Sequence, residues 1–260
     1  MRLKDIQYLK MKTLEFMKIF DCFTYFNEQD MLRIRLEELG DVVDYFVVVE
    51  ASQTFTGISK PFYFDNLPGW INKWKEKIIR VKIDFPTEAN SSWLKEYYQR
   101  NAIAEGLTLA KSKDLIMISD ADEIVNANIF KSKVNTPTRL DVKQYFWNFH
   151  WQAPAHCNQG ARPVIVRKKH LDISCAQELR ASNLPLVPNA GWHFSFFGEP
   201  EKIKNKIESF AHTEYNLDEY KNNQAILYRI ENGIDPFDRF PLKYYEIDKS
   251  YPKFVQSMLY

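Results

Sequence analysis

Asp120 and Asp122 stand one residue apart at the end of the apolar run Leu115-Ile116-Met117-Ile118-Ser119. A run of that length predicts a buried strand, and in an open α/β sheet ligands bind beyond the carboxyl ends of the strands. Side chains alternate along an extended chain, so both carboxylates are expected on one side, within reach of one hard cation or its waters. Mn²⁺ or Mg²⁺ bridging a diphosphate suits such a pair, because carboxylate and phosphate oxygens favour hard ions. The same residues also read as an acidic turn in water.

The elements that would position this pair follow from the pattern around it. Ile19-Phe20-Asp21-Cys22-Phe23 predicts a first strand, and Leu32, Leu36, Leu39 and Val43 recur at helical spacing, predicting a helix over Gln29 to Leu39 with Gly40 as its stop. Tyr45-Phe46-Val47-Val48-Val49 is a continuous run ending at Glu50, as expected of a strand covered on both faces. Strand, helix, strand implies a parallel βαβ unit and a doubly wound sheet. Ile78 to Ile83 predicts a third strand, and Trp93 to Leu109 a helix capped by Ser91 or Ser92. Arg139 to Phe149 and Arg162 to Arg167 read as further strands around a Pro154 to Gly160 loop. Pro200 to His212 and Leu217 to Glu231 read as helices, the second closed by Asn232-Gly233. The tail from Asp235 to Tyr260 is expected to pack as irregular structure. The fold class is therefore α/β, a mostly parallel mixed sheet flanked by helices.

Composition narrows the function. With 260 residues the chain can bury the core of one domain. Lys+Arg 35 against Asp+Glu 34 leaves a net charge of +1, so no global field favours nucleic acid or an anionic membrane, and any phosphate site must be local. Cys22, Cys157 and Cys175 have neither zinc-type spacing nor an even number, which predicts free thiols. No run of about 20 apolar residues occurs, and Met1 to Lys12 is too charged for a signal-peptide core. A soluble, cytoplasmic protein without a transmembrane segment is the expectation; nothing in the sequence sets its oligomeric state. Abundant aromatic residues suit a sugar-binding site or simply a large core.

Several ordered blocks carry a family likeness. Phe20-Asp21-Cys22-Phe23-Thr24-Tyr25-Phe26-Asn27-Glu28, Arg35-Leu36-Glu37-Glu38-Leu39, and Val47-Val48-Val49-Glu50-Ala51 with Thr54-Phe55-Thr56-Gly57 come first. Ile118-Ser119-Asp120-Ala121-Asp122-Glu123-Ile124 follows, then Gly191-Trp192-His193-Phe194-Ser195-Phe196-Phe197-Gly198 and Ser209-Phe210-Ala211-His212-Thr213-Glu214. Together they resemble glycosyltransferase family 17, whose best-known member adds a β1,4-linked N-acetylglucosamine to the core mannose of N-glycans. The resemblance implies a GT-A fold of Rossmann-like type, a UDP-sugar donor, a carbohydrate acceptor, a Mn²⁺ or Mg²⁺ ion and inversion at the anomeric carbon. It implies an N-terminal extension over residues 1–17 and one domain over 18–260, with a donor half at 18–125 and an acceptor-facing half and tail at 126–260. Against the family pattern, the membrane anchor and stem of the animal Golgi enzymes are not expected in residues 1–260. The expected acceptors therefore extend to a polysaccharide precursor, a lipid-linked sugar or a viral glycan.

An inverting transfer is a single in-line displacement that needs a base for the acceptor hydroxyl and neutralisation of the departing diphosphate. A metal at Asp120 and Asp122 would supply the second as a Lewis acid. Asp122 is the expected direct ligand and Asp120 touches a metal water or the ribose. Glu123 stands behind them or starts a helix, where a carboxylate complements the dipole. Glu50, ending a neighbouring strand, suits hydrogen bonds to uracil or ribose, or is an acid facing water. Arg100 and Asn101 are placed to hold the base or diphosphate, with a surface pair between Arg100 and Glu96 as the competing role. His193 is the expected third metal ligand, with His212 behind it; a hydrogen-bonded core histidine is the alternative. Trp192, Phe194 and Phe196 form either a sugar-stacking wall or core. Glu178, then Asp172, is the expected base, both also readable as surface acids. Arg162, Arg167 and Arg180 offer cations for the diphosphate.

Two other classes share parts of this pattern. Phosphatases of the haloacid-dehalogenase type also place a carboxylate pair after an apolar strand, but that motif continues into Gly or Thr near the start of the fold. Here it continues Glu123-Ile124-Val125 in mid-chain. A sugar- or nucleotide-binding module without turnover would keep the fold and the donor contacts.

Overall fold

A computed structural model describes residues 17–131, 136–157 and 162–258. Residues 1–16 of the expected extension, 158–160 of the predicted loop and 259–260 of the tail lie outside the described residues. The strands are β1 Ile19–Thr24, β2 Tyr45–Ala51, β3 Ile78–Ile83, β4 Leu115–Asp120, β5 Glu123–Val125, β6 Thr138–Phe146, β7 Trp151–Gln152, β8 Val164–Arg167, β9 Leu186–Ser195 and β10 Lys243–Tyr244. The helices are α1 Gln29–Leu39, α2 Ser92–Asn101, α3 Ala176–Ala181, α4 Pro200–Ser209, α5 Asp218–Lys221, α6 Asn223–Asn232 and α7 Lys253–Ser257.

The sheet runs β10-β7-β6-β8-β4-β1-β2-β3, with β9 pairing both β6 and β5 to one side of that path. β4, β1, β2 and β3 are mutually parallel, as the βαβ pattern implies. β8 joins β4 antiparallel, so the expected mostly parallel sheet is parallel from β4 to β3 and mixed beyond, where β6 and β9 pair in parallel and the remaining pairings are antiparallel. Alternation along these strands feeds two cores. Phe23, Phe46, Val48 and Met117 pack with Leu32, Leu36 and Leu39 of α1. Phe20, Cys22, Val47, Val49 and Ile118 pack on the opposite face with Ile103, Leu107 and Leu179. Coverage of both faces explains why β1, β2 and β4 read as unbroken apolar runs. It also directs their carboxyl ends, rather than their faces, to the ligand side.

Several elements differ from the sequence pattern for local reasons. The helix expected over Trp93 to Leu109 is α-helical only to Asn101 and then tightens into a 3₁₀ segment over Ala102–Leu107. Gly106 lies there against β2, where a Cβ would stand 2.3 Å from Val47 Cγ1. α4 stops at Ser209 rather than His212. The helix expected over Leu217 to Glu231 is divided at Asn222, whose side chain accepts from Ala225 N at 2.8 Å and caps α6. The tail holds β10 and α7, where irregular structure is expected. Cys22, Cys157 and Cys175 are free thiols. Among the described residues, no helix is long and apolar enough to cross a membrane.

Candidate active site

β4 ends at Asp120, and the chain turns through Ala121 and Asp122 straight into β5. Glu123 therefore begins a strand, correcting the reading of it as a helix start. β5 is held because β9 pairs with it antiparallel, setting Glu123 opposite His193, while Phe194 N donates to Asp122 O at 2.9 Å. Beneath the turn lies Arg35 of α1, fully buried with Asp21 of β1. Its Nε donates to Asp21 Oδ2 at 2.7 Å and its Nη1 to the carbonyls of Asp120 and Glu123, each at 2.9 Å. Nη2 completes the set at Asp21 Oδ1 and Ser119 Oγ. One guanidinium thus fixes the backbone of the acidic turn from below while β9 fixes it from the side.

The carboxylates above this turn are each met by cations. Asp120 Oδ1 lies 2.8 Å from Arg100 Nη2 and Oδ2 lies 3.0 Å from Arg180 Nη2. Asp122 Oδ2 lies 2.6 Å from Lys206 Nζ of α4 and Oδ1 lies 3.3 Å from His193 Nε2. Glu123 is paired with Arg180 at 2.5 Å and also accepts from Asp120 N at 2.8 Å. Burial works to raise the Asp120 carboxyl, but Arg180 and Arg100 outweigh it and hold it at about 2. At Asp122 burial is likewise overcome, by Lys206 and His193, which hold that carboxyl well below the usual carboxylate range. Burial lowers His193, yet Asp122 outweighs it and the imidazole sits above its ordinary value. Both DxD carboxylates are therefore ionised at neutral pH.

These groups line a cleft of about 630 Å³ at the carboxyl end of the parallel strands. One wall is Thr24, Tyr25 and Phe26 after β1 and Gln99 and Arg100 of α2; the far wall comes from β9, α4 and the segment 209–215. Arg100 and Arg180 are buried, and the Nε of each lacks a hydrogen-bond partner among the described residues, leaving spare donors beside the cleft. The competing role for Arg100 is also realised: it pairs with Glu96 at 2.7 Å and with Asp120 at once.

The other expected site residues fall elsewhere. Glu50 is buried beneath the cleft, not in its lining. It accepts from Tyr63 N at 2.5 Å and Phe64 N at 3.3 Å and pairs with Lys60 at 3.2 Å, so it ties down the loop after β2. Burial raises its carboxyl despite Lys60. Asn101 faces α3, accepting from Gln177 N at 3.0 Å. Arg162 pairs with Asp141 at 3.1 Å, and Arg167 donates to Lys113 O at 2.6 Å. Neither lines the cleft. Glu178 caps α3, accepting from Ser174 Oγ at 2.8 Å and Cys175 N at 3.2 Å. Asp172 pairs with Lys168 at 2.6 Å on the surface. The expected base is thus absent from the cleft at both positions, because Glu178 points to solvent from α3 and Asp172 sits in the exposed turn before it. Trp192 and Phe194 are core, and Phe196 lines the cleft. Arg35 and Lys206 were not singled out by sequence reasoning. Arg35 lies in a matched block on the buried side of α1, which was the available signal; Lys206, on a charged helix, offered none.

A divalent ion can be weighed against these donors. Among the described residues no group of three or more His, Cys, Asp or Glu side chains could hold a metal. Asp122 and His193 nevertheless converge, a hard oxygen beside an imidazole nitrogen. Two protein donors fit an ion shared with a substrate phosphate, the usual arrangement for Mg²⁺, and not a resident site built from protein alone.

Comparison with known proteins agrees with this geometry. The family model described as glycosyltransferase family 17 matches residues 6–258. Among curated proteins, the beta-1,4-mannosyl-glycoprotein 4-beta-N-acetylglucosaminyltransferase of Homo sapiens is 26% identical over 234 residues, covering 76% of this chain and 44% of the relative. The Mus musculus protein of the same name is 23% identical over the same span and shares. The chain thus spans less than half the length of the curated relatives it matches. With the family match running through every strand of the sheet and both aspartates of the cleft, the chain belongs to glycosyltransferase family 17.

Proposed function

We propose that this chain moves N-acetylglucosamine from UDP-N-acetylglucosamine to a hydroxyl of a mannose-type or related glycan, inverting the anomeric centre, on a GT-A fold. The observation that carries the reading is the Asp120-Ala121-Asp122 turn at the end of β4, facing a cleft whose cations converge where a diphosphate would lie. Four parallel strands followed by antiparallel β8 support the GT-A arrangement. The names of the relatives support the sugar and the linkage.

In this reading the nucleotide lies over the ends of β1 and β2, between the Tyr25-Phe26 segment and the Gln99-Arg100 end of α2. Arg100, Arg180 and Lys206 receive the diphosphate. Their charges are pre-positioned by Asp120, Glu123 and Asp122, so neutralising the leaving group requires little reorganisation at the moment of transfer. When bound, a Mn²⁺ or Mg²⁺ ion held by Asp122 and His193 would supply Lewis-acid withdrawal of charge from that diphosphate. The two arginines on Asp120 disfavour a phosphohydrolase, because a carboxylate clamped by two guanidinium groups is a poor nucleophile.

Calorimetric titration of UDP and UDP-N-acetylglucosamine, with and without Mn²⁺, tests the reading. Wild type is expected to bind both, more tightly with Mn²⁺, and Asp122→Ala to lose the metal-dependent part. Absence of UDP binding in either condition would refute the UDP-sugar assignment. Donor binding without sugar transfer to any glycan would favour the binding-module alternative.

A further inference from the structure

We infer that His212, held by Glu214 and set against Trp93, is the general base and acceptor-sugar subsite of this cleft; the inference rests on the transferase reading above. The segment following α4 forms the rim opposite the donor wall. Its position is fixed across the cleft: Phe55 N donates to Ser209 O at 3.2 Å, Thr56 Oγ1 to Glu208 O at 2.9 Å and Ser92 Oγ to Ala211 O at 2.9 Å. A rim tied by three hydrogen bonds to the other half is a wall, not a mobile loop. On it, His212 Nδ1 lies 2.7 Å from Glu214 Oε1, and both residues line the cleft.

That contact has a chemical consequence. A carboxylate at Nδ1 holds the proton there, which leaves Nε2 as an acceptor and orients the ring. The groups against the imidazole are the Trp93 indole, edge-on at 4.6 Å, the rings of Phe210 and Tyr215 at 5.7 and 6.0 Å, and the Glu214 carboxylate. Trp93 stands on the first turn of α2, lines the cleft and keeps 49% of its surface exposed, although it is the largest kind of apolar side chain. A half-exposed indole next to an imidazole and a carboxylate matches a pyranose, which presents C–H bonds to an aromatic face and hydroxyls to acceptors. The sites expected for the base, Glu178 and Asp172, lie outside the cleft, and the DxD carboxylates are occupied by cations.

The step balances without a further reagent. The acceptor hydroxyl gives its proton to His212 Nε2, and its oxygen pair forms the bond to the anomeric carbon. The bond from that carbon to the diphosphate oxygen breaks, its electron pair leaving with UDP. Glu214 stabilises the imidazolium that results, and the proton passes to solvent as product departs.

The test combines three readouts on wild type, His212→Gln, Glu214→Gln, Trp93→Ala and Trp93→Phe. Calorimetry with UDP reports the donor site and is expected to agree within twofold across the set. Saturation-transfer NMR on the UDP-loaded proteins, with the methyl glycosides of mannose, glucose, galactose and N-acetylglucosamine as probes, reports the acceptor subsite. Signals expected in wild type should vanish in Trp93→Ala and persist, weakened, in Trp93→Phe. UDP release from UDP-N-acetylglucosamine, with the best-binding glycoside as acceptor, should fall by about 10²–10⁴-fold in kcat for His212→Gln, with an altered pH profile, and by a smaller factor for Glu214→Gln. Intact UDP binding with no glycoside signal, with signals unchanged in Trp93→Ala, or with wild-type kcat and pH profile in His212→Gln, overturns this inference alone. Failure of wild type to bind UDP overturns the transferase reading and this inference with it.

Discussion

Replacing Arg35 by Met should reveal how strongly the acidic turn depends on one buried guanidinium. Met keeps much of the volume, so the loss is electrostatic and not a cavity effect. Arg35 and Asp21 are both 0% exposed, and the guanidinium also serves the carbonyls of Asp120 and Glu123 at 2.9 Å. Removing one member of a buried ion pair costs about 3–5 kcal/mol. The stranded carbonyls add to this by about 1–3 kcal/mol. Burial already raises the Asp21 carboxyl, so in the variant it takes up a proton and keeps the total towards the lower end, about 4–5 kcal/mol. At about 2–4 °C per kcal/mol for a chain of this size, the melting temperature should drop by roughly 8–20 °C. Urea unfolding and thermal melts of wild type, Arg35→Met and the double variant Asp21→Leu/Arg35→Met measure this. The double variant should recover part of the loss, since no unpaired charge remains buried. UDP affinity of Arg35→Met below its melting point should fall as well, because the carbonyls that orient Asp120 and Asp122 are released. A melting temperature within about 3 °C of wild type, or a double variant no more stable than the single, would refute the reasoning.

Further expectations follow from the same geometry. A Cβ at Gly191 would stand 2.3 Å from Ile124 O and 2.6 Å from Val125 Cα, both backbone of β5. Gly191→Ala should therefore lose about 1–3 kcal/mol in urea unfolding and weaken UDP binding through the displaced turn; wild-type behaviour in both would contradict it. His193 has a folded pKa raised by Asp122, so its pairing stabilises the metal-free protein fully below the unfolded value of about 6.5 and is lost as pH climbs through the folded value. The melting-temperature gap between wild type and His193→Asn in EDTA should accordingly narrow as pH rises from below about 6.5 through the raised folded value; a widening gap would reverse the assigned sign. Glu178→Gln should leave sugar transfer unchanged while altering only the stability of α3, whose first turn that carboxylate caps. A large loss of turnover there would return Glu178 to the role of base.

The chain's own pattern determined the parallel strands β1, β2 and β4 and the position of the acidic turn. β1, β2 and β4 are covered on both faces, so their residues had to be uniformly apolar, and uniform runs ending at Glu50 and Asp120 are legible without tertiary information. The Gly191 to Gly198 block left His193 open between a ligand and a hydrogen-bonded core residue, and only the pairing of β5 with β9 sets it beside Asp122, more than 70 positions away in the chain. Glu50 shows the limit of such reasoning: a strand-end acid is the same in sequence whether it meets a nucleotide or, as here, two backbone amides and a lysine. The short pairing of β5 with β9 was hidden because a run of Glu123-Ile124-Val125 is too brief to carry a period. Lys206, Arg180 and the rim at His212 acquire their roles only by packing. Charges on exposed helix faces look alike along a chain, and the fold alone decides which of them close over a carboxylate or face a cleft.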